Sequence, residues 1–490
     1  MLTTKPGRFS VCTKADRPQG ALEMSRILLK SGTVITMDRN FPNLSKGDVL
    51  LEDDRIVAVG PTIEISDAEI IDATNTIVMP GFVNAHIHTW QTCLRGIASD
   101  WTIPEYLHNM HATIGPSFTP DDIYVSNLLG ALNQLNSGTT TIVDWCHNNP
   151  TAAHSDRAID ALQESGIRAI FLNGSPKPDP KPGEKHFSEI PYPRFEIERL
   201  SRDRLSARDA LVTLGMAILG PAYSIYGVSR QDLQLAREMK MLVSMHVGGG
   251  AMVVPDGFVR LADENLFSDK ANIVHGNNLP FDQLRRLIDC GATITVTPEV
   301  EYQMGFGNCL TGCLRRLGAA PSLGSDIESA VGGDMFGVVR IALQGQRHAD
   351  NLEVLHETGK GPEHISVTCQ EALEWATING ARMIGLDRRI GSLTPGKQAD
   401  LVMLRVDDLN LFPLLDPVRA VVTQAGIGNV DTVFVAGHRV KRSGKLSYRN
   451  LERRKEQLAE TSRRILSTVR LDPHASTPAL PRGAHATESA

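Results

Sequence analysis

The sequence predicts an α/β fold: a (β/α)₈ TIM barrel flanked by a small composite β-sandwich domain built from both terminal regions. Three observations carry that expectation. Between about residues 81 and 385, short runs with the character of buried strands alternate with helical stretches, and eight such strands can be counted. Both ends of the chain, about 25–80 and 386–450, instead consist of short strands separated by tight turns. At the first junction of these textures, Pro80-Gly81-Phe82-Val83-Asn84-Ala85-His86-Ile87-His88 ends an apolar run in two histidines spaced i, i+2. On a strand that spacing puts both imidazoles on one face. By itself a His-x-His is a weak motif, and its meaning depends on what the other strands carry.

At 490 residues the chain has ample length for a large domain plus a smaller one. A hydrophobic fraction of 41% and a charged fraction of 22% are those of an ordinary globular enzyme. The net charge of -6, with no lysine or arginine block, argues against nucleic acid or an anionic membrane as partner. No apolar run reaches the ~18 residues needed to span a bilayer. The seven cysteines are scattered, odd in number and without a Cys-x-x-Cys, which suits free thiols in a reducing, cytoplasmic setting. Residues 1–24 are basic without an apolar core and read as a flexible extension rather than a secretory signal; residues 472–490 read as a disordered tail after a C-terminal helix over 451–471.

In order along the chain, residues 25–80 supply strands such as Val49-Leu50-Leu51, Arg55–Val59 and Thr76–Met79, with turns at Gly32, Gly47, Asp53-Asp54 and Gly60. The same texture returns in Ala399–Leu404 and Val430–His438, so 25–80 and 386–450 are expected to share one sheet domain. Within 81–385, strands are expected at the His86/His88 run and at Thr140–Cys146, Arg168–Asn173, Val212–Leu219, Leu242–Val247, Ala271–His275, Thr293–Thr297 and Pro321–Asp326. Helical stretches such as Ala152–Glu164, Gln231–Met241 and Phe281–Asp289 fall between them. The Pro- and Arg-rich segment from about Pro176 to Ala210 reads as an insertion between strands three and four.

In such a barrel the chemistry gathers where strands end at the C-terminal face. Strand one ends in His86 and His88, strand five in His246, strand six in His275 and strand eight in Asp326. One histidine at a strand tip is most simply a packed core or rim residue. Four histidines and an aspartate, all at tips on one face, form a ligand set. Three neutral imidazoles and a carboxylate suit one divalent transition metal, zinc ahead of iron, with a position left open. Such an ion lowers the pKa of a bound water from 15.7 to about 7, which supplies a nucleophile at neutral pH. Asp326 can accept the water's proton, and His275 can orient the water or polarise the substrate. Strand four, Val-Thr-Leu-Gly-Met-Ala-Ile-Leu, carries no lysine that could bridge two metals, so one ion is expected.

With these pieces in place the chain resembles the amidohydrolase superfamily, and within it the cytosine deaminase-like and triazine hydrolase branch. The matching residues are Pro80–His88, Arg95-Gly96, Asp100-Trp101, Gly138–Thr141, His246, His275-Gly276, Ser325-Asp326 and Gly391-Ser392-Leu393-Thr394-Pro395-Gly396-Lys397-Gln398-Ala399-Asp400-Leu401-Val402, in the family's order. The resemblance implies a barrel with a composite β-sandwich and metal ligation by His86, His88, His246 and Asp326, with His275 on the activated water or substrate. It further implies hydrolysis of a C–N bond, by deamination or amide cleavage, in a small cyclic or aromatic molecule, and a homo-oligomeric enzyme.

Two departures from the family pattern bear on the reaction. The glutamate that usually follows the strand-five histidine by three residues, and shuttles a proton to the leaving nitrogen, is Gly249 here. The histidine often found before the proline after strand seven is Thr297. Losing a positioned proton-transfer group typically costs about 10²–10⁴-fold in rate. Glu299 and Glu301, just after strand seven, and His147, after strand two, are the candidates for replacing it. The departure also leaves open a second use of the metal site, for C–C or C–O cleavage or cyclisation of a specialised metabolite, and more remotely a non-enzymatic binding protein. Substrate contacts are expected from His147, from Gln91, Arg95, Trp101, Glu105 and Tyr106 in the loop after strand one, and from Glu301 and Gln303 after strand seven. Asp144 and Trp145 suit either a structural or a site role. Cys309 and Cys313 are expected to pack rather than ligate, and His348, His356 and His364 to lie on the surface.

Overall fold

The computed structural model describes residues 26–248 and 250–472. The first five strands, β1 (Arg26–Val34), β2 (Leu44–Glu52), β3 (Arg55–Gly60), β4 (Glu69–Asp72) and β5 (Thr76–Pro80), come from the N-terminal region. Eight more follow: β6 (Phe82–Ile87), β7 (Thr139–Cys146), β8 (Arg168–Gly174), β9 (Val212–Ile218), β10 (Val243–Val247), β11 (Ala271–His275), β12 (Thr293–Val296) and β13 (Ser322–Leu323). These pair in sequence order, every pair parallel. A parallel bridge between Ile87 and Asp326 joins the last strand to the first, so the sheet closes into a barrel. The closing hydrogen bonds, His88 N–H to Asp326 O at 2.8 Å and Asp326 N–H to His86 O at 3.0 Å, lie among the expected metal ligands themselves. Gly324 makes this seam possible, because a Cβ there would stand 2.7 Å from the His86 backbone oxygen.

Every residue of β6, β7 and β8 is buried, as parallel strands covered on both faces must be. Helices connect the strands, among them Pro120–Asn136, Ala152–Ser165, Tyr226–Met239 and Phe281–Asp289. Their ends follow local chemistry. Thr119 and Asp122 form a capping box ahead of Pro120, and Gly166, at φ 75°, ends the helix Ala152–Ser165. The expected insertion occupies the interval between β8 and β9 and contains a helix at Arg194–Arg202.

The remaining strands, β14 (Leu401–Arg405), β15 (Val430–Val435), β16 (His438–Arg442) and β17 (Lys445–Leu446), join β1–β5 in one nine-stranded, mainly antiparallel sheet. Its halves meet where β14 pairs with β5, Leu401 opposite Pro80. The chain passes from this sheet into the barrel through Gly81, where a Cβ would stand 2.2 Å from the Thr140 side chain. Beside that crossing, Arg168 on β8 donates to both oxygens of Asp400 at 2.6 and 3.0 Å, with both side chains buried. Asp400 Oδ1 also accepts the Ala436 N–H at 2.6 Å. The aspartate of the late motif is thus a fastener between sheet and barrel. A C-terminal helix runs Leu451–Thr468; the expected extension over 1–24 lies outside the described residues, as does the expected tail apart from Asp472.

Candidate metal centre

The closure of the barrel brings the strand tips together. His86 lies on β6 and His88 just beyond it, His246 on β10, His275 at the end of β11, and Asp326 after β13. Both His275 (φ 69°) and Asp326 (φ 64°) hold left-handed backbone that non-glycine residues seldom adopt. Such conformations persist only where the surroundings enforce them, and they aim both side chains into the barrel mouth.

One ligand atom from each of His86, His88, His246 and Asp326 lies within 4.8 Å of the others. His86 Nε2 is 3.2 Å from Asp326 Oδ1 and 3.1 Å from His246 Nε2, and His88 Nε2 is 3.2 Å from the same Asp326 oxygen. The tautomer of His88 is set by its other nitrogen: Nδ1 sits 2.5 Å from the Trp145 carbonyl, which can only accept a proton. A neutral His88 therefore faces the carboxylate lone pair to lone pair through Nε2, a repulsive contact unless a cation stands between them. The donor set thus fits a metal ion.

The electrostatics agree. Burial pushes the His86 imidazole down to about 4, and burial likewise holds His246 well below the usual histidine range. Both are therefore neutral near pH 7, as ligation requires. Burial opposes ionisation of Asp326, but the ring of histidines around it, His86, His88 and His275, outweighs burial and keeps the carboxyl well below its ordinary value.

His275 stands beside this set. Its Nδ1 is 2.9 Å from Thr297 Oγ1 and 3.4 Å from Glu301 Oε1, which turns Nε2 toward Asp326 Oδ2 at 3.7 Å. Glu301 is itself pinned, accepting from Thr297 N–H at 2.8 Å and from Asn277 Nδ2 at 3.1 Å. The cavity over the centre has a volume of about 50 Å³. Its polar wall consists of Tyr106, His111, His147, Lys177 and Tyr223, and its apolar wall includes Ile103, Val300, Met304 and Phe306.

Of the residues expected to touch substrate, His147 lines the cavity, with its Nε2 3.1 Å from His111 Nε2. Tyr106 lines it too. Gln91 lies behind that tyrosine, donating to Tyr106 Oη at 2.6 Å and accepting from Ser329 Oγ at 2.6 Å. Arg95 pairs with Glu328 at 2.8 Å, Glu105 closes a capping box with Thr102, and Trp101 packs half-buried in the first loop. Gln303 donates to the Ser99 carbonyl at 2.9 Å, tying two loops together.

Glu299 is brought elsewhere: it packs against Gly337 and Asp334, and burial followed by the nearby Asp334 charge raises its carboxyl to about 7. Glu301 acts on His275 and does not line the cavity. Asp144 accepts from Thr89 N–H at 3.1 Å and Asn127 Nδ2 at 3.0 Å, a structural role. Gly249 lies outside the described residues. Three polar cavity residues went unread in the sequence, His111, Lys177 and Tyr223. Lys177 alone carried a usable signal, a lysine three residues past the end of a barrel strand.

Comparison with known proteins agrees with this geometry. The model of the amidohydrolase family matches residues 77–256 and 309–440. The chain is 26% identical over 411 residues to a 5-methylthioadenosine/S-adenosylhomocysteine deaminase of Acetivibrio thermocellus, covering 81% of this chain and 88% of the relative. It is 28% identical over 439 residues to the deaminase of that name from Desulforudis audaxviator, covering 86% and 96%. Among solved structures it superposes on an adenosine deaminase of Xanthomonas campestris with bound zinc (TM-score 0.76, 24% identity, 90% of this chain and 99% of that one). It also superposes on an atrazine chlorohydrolase of Arthrobacter aurescens complexed with zinc (TM-score 0.77, 21% identity, 89% and 100%). The family match covers well over half of the sequence and includes all four converging ligands, so this chain belongs to the amidohydrolase family.

Proposed function

We propose that the protein is a metal-dependent hydrolase that cleaves a C–N bond, by deamination or amide hydrolysis, in a small cyclic or aromatic substrate. The observation that carries this reading is the convergence of His86, His88, His246 and Asp326 within 4.8 Å at the mouth of the barrel. These four hold one divalent metal, zinc ahead of iron, which when bound acidifies water and polarises the substrate. Asp326 takes the proton of the attacking water, and its Oδ2 faces His275 Nε2 at 3.7 Å. His275, fixed through Nδ1 by Thr297 and Glu301, holds that proton on its way to the leaving nitrogen. A cavity of about 50 Å³ favours a compact substrate, since drug-sized ligands occupy sites of roughly 300–1,000 Å³. The nucleosides named for the curated relatives need the helical segment bearing Ile103, Tyr106 and Leu107 to move aside.

A screen of amino-heterocycles, lactams and triazines with the metal-containing protein, following ammonia release and mass change, tests the reading. Hydrolysis of at least one class, lost in Asp326→Asn, is expected; no hydrolysis of any class by fully metal-loaded protein counts against it. The presence of Gly249 where the family has glutamate supports a second reading, in which the same centre cleaves a C–C or C–O bond or closes a ring. Ammonia release gained only on Gly249→Glu favours that alternative, and robust release by the wild type removes its motive. A cytoplasmic homo-oligomer completes the proposal. No helix among the described residues is long and apolar enough to cross a membrane.

A further inference from the structure

Among the described residues Lys177 is the one lysine or arginine lining the cavity, and it is buried. It lies three residues past the end of β8, in the insertion, with its Nζ 4.7 Å from the centre of the Tyr223 ring and 5.8 Å from that of Trp145. Among the described residues no carboxylate pairs with it: burial alone lowers its ammonium, to about 8, with no opposing negative charge nearby. Burying a cation without an anion is expensive, and aromatic faces offset only part of that cost. Among the described residues the one carboxylate lining the cavity, Asp326, lies against His86 and His88.

Two phenols share this wall with their protons available. Tyr106 Oη accepts from Gln91 Nε2, and Tyr223 Oη lies against Gly248, where a Cβ would stand 2.9 Å from it; neither hydroxyl donates to an acceptor among the described residues, so each can still donate. The wall therefore offers one positive charge and two hydroxyl donors, and lacks its acceptor.

We propose that Lys177, with Tyr106 and Tyr223, forms a subsite for a carboxylate on the substrate, so that the enzyme acts on a small cyclic amine or amide that is also a carboxylic acid. This rests on the reading of the cavity as the substrate site. A single ammonium between two neutral phenols matches a monoanion; a phosphate dianion calls for a second cation that the wall does not have. The subsite also sets the substrate's orientation, with the acid toward the β8 side and the scissile bond toward Asp326.

The test is equilibrium binding of trifluoroacetate, and of its neutral counterpart trifluoroethanol, to the full-length metal-containing protein, followed by ¹⁹F NMR. Neither probe has a C–N bond, so binding is read without turnover. Wild type should bind the carboxylate about tenfold or more tightly than the alcohol, as a desolvated charge-assisted contact allows. Lys177→Met should lose most of that preference, and Lys177→Arg should keep it. Any pull of the metal on the carboxylate is common to wild type and variants, so the difference between them isolates Lys177. Equal affinities in wild type overturn the proposal without recourse to any variant, and so does an undiminished preference in Lys177→Met. Hydrolysis of neutral amines alongside no Lys177-dependent preference ends the subsite and leaves the hydrolase standing. Lys177-dependent binding in a protein that hydrolyses nothing does the reverse.

Discussion

Two carboxylates two positions apart meet different fates here, and the reason is a helix that the sequence does not announce. Glu299 and Glu301 lie on the short helix Pro298–Gln303 directly after β12. At 3.6 residues per turn, positions i and i+2 point about 200° apart. One therefore reaches His275 while the other packs against Gly337. Glu301→Gln keeps the size of the side chain and removes the charge behind His275. Its kcat should fall by about 10–100-fold, the usual effect of losing an orienting partner, with metal content unchanged. Metal loss in step with activity would show that Glu301 holds the ligand cluster instead.

Asp232 gives a second test at this scale, away from the metal. Burial raises its carboxyl to about 7, while its Oδ1 accepts the Tyr192 N–H at 2.9 Å. Between the ordinary value of 3.8 and about 7 the folded protein keeps this proton and the unfolded chain does not. Stability from this group is thus present at low pH and declines as pH rises through that window, by up to about 4 kcal/mol. Asp232→Asn accepts the same hydrogen bond and cannot ionise. Its unfolding free energy at pH 8 should exceed that of wild type, and the two should converge toward pH 4. A variant less stable at pH 8 would mean that the carboxylate is satisfied by partners other than Tyr192.

Among the elements, the barrel strands were the most legible, because a strand buried on both faces leaves an uninterrupted apolar run. The expected Ala271–His275 and Phe281–Asp289 coincide with the observed strand and helix, and Thr140–Cys146 differs from its strand by one residue. Once the strands were placed, the tips identified His86, His88, His246, His275 and Asp326, since the ends of parallel strands project into one mouth. What stayed hidden sits on irregular backbone. His111 belongs to the π-helical segment Leu107–Ile114, and Lys177 to a proline-rich insertion, and neither has a periodicity from which a facing direction can be read. Tyr223 lies on the four-residue helix Gly220–Tyr223, too short to show one.

The contact of Arg168 with Asp400 joins two elements 232 residues apart, which explains why a buried aspartate stands at the head of an apolar strand. Arg168→Met leaves Asp400 buried and short of its partner, which costs about 3–5 kcal/mol. Denaturant unfolding should show a loss of that size. A change below about 1 kcal/mol would mean that the Ala436 N–H and solvent suffice for the carboxylate.

For the whole molecule, the barrel and the nine-stranded sheet act as a mould for one small volume. The bridge that closes the barrel lies between ligands, so forming the fold and forming the metal centre are one event. Metal binding should accordingly stabilise the protein by mass action. The most direct measurement is therefore metal content by elemental analysis, together with thermal unfolding, on wild type, His246→Ala and Asp326→Asn. One zinc or iron per wild-type chain is expected, falling to about a tenth or less in each variant, with a lower midpoint and no hydrolysis. A wild-type protein that folds, keeps its midpoint in chelator and turns over substrate with no metal would contradict the account at its centre.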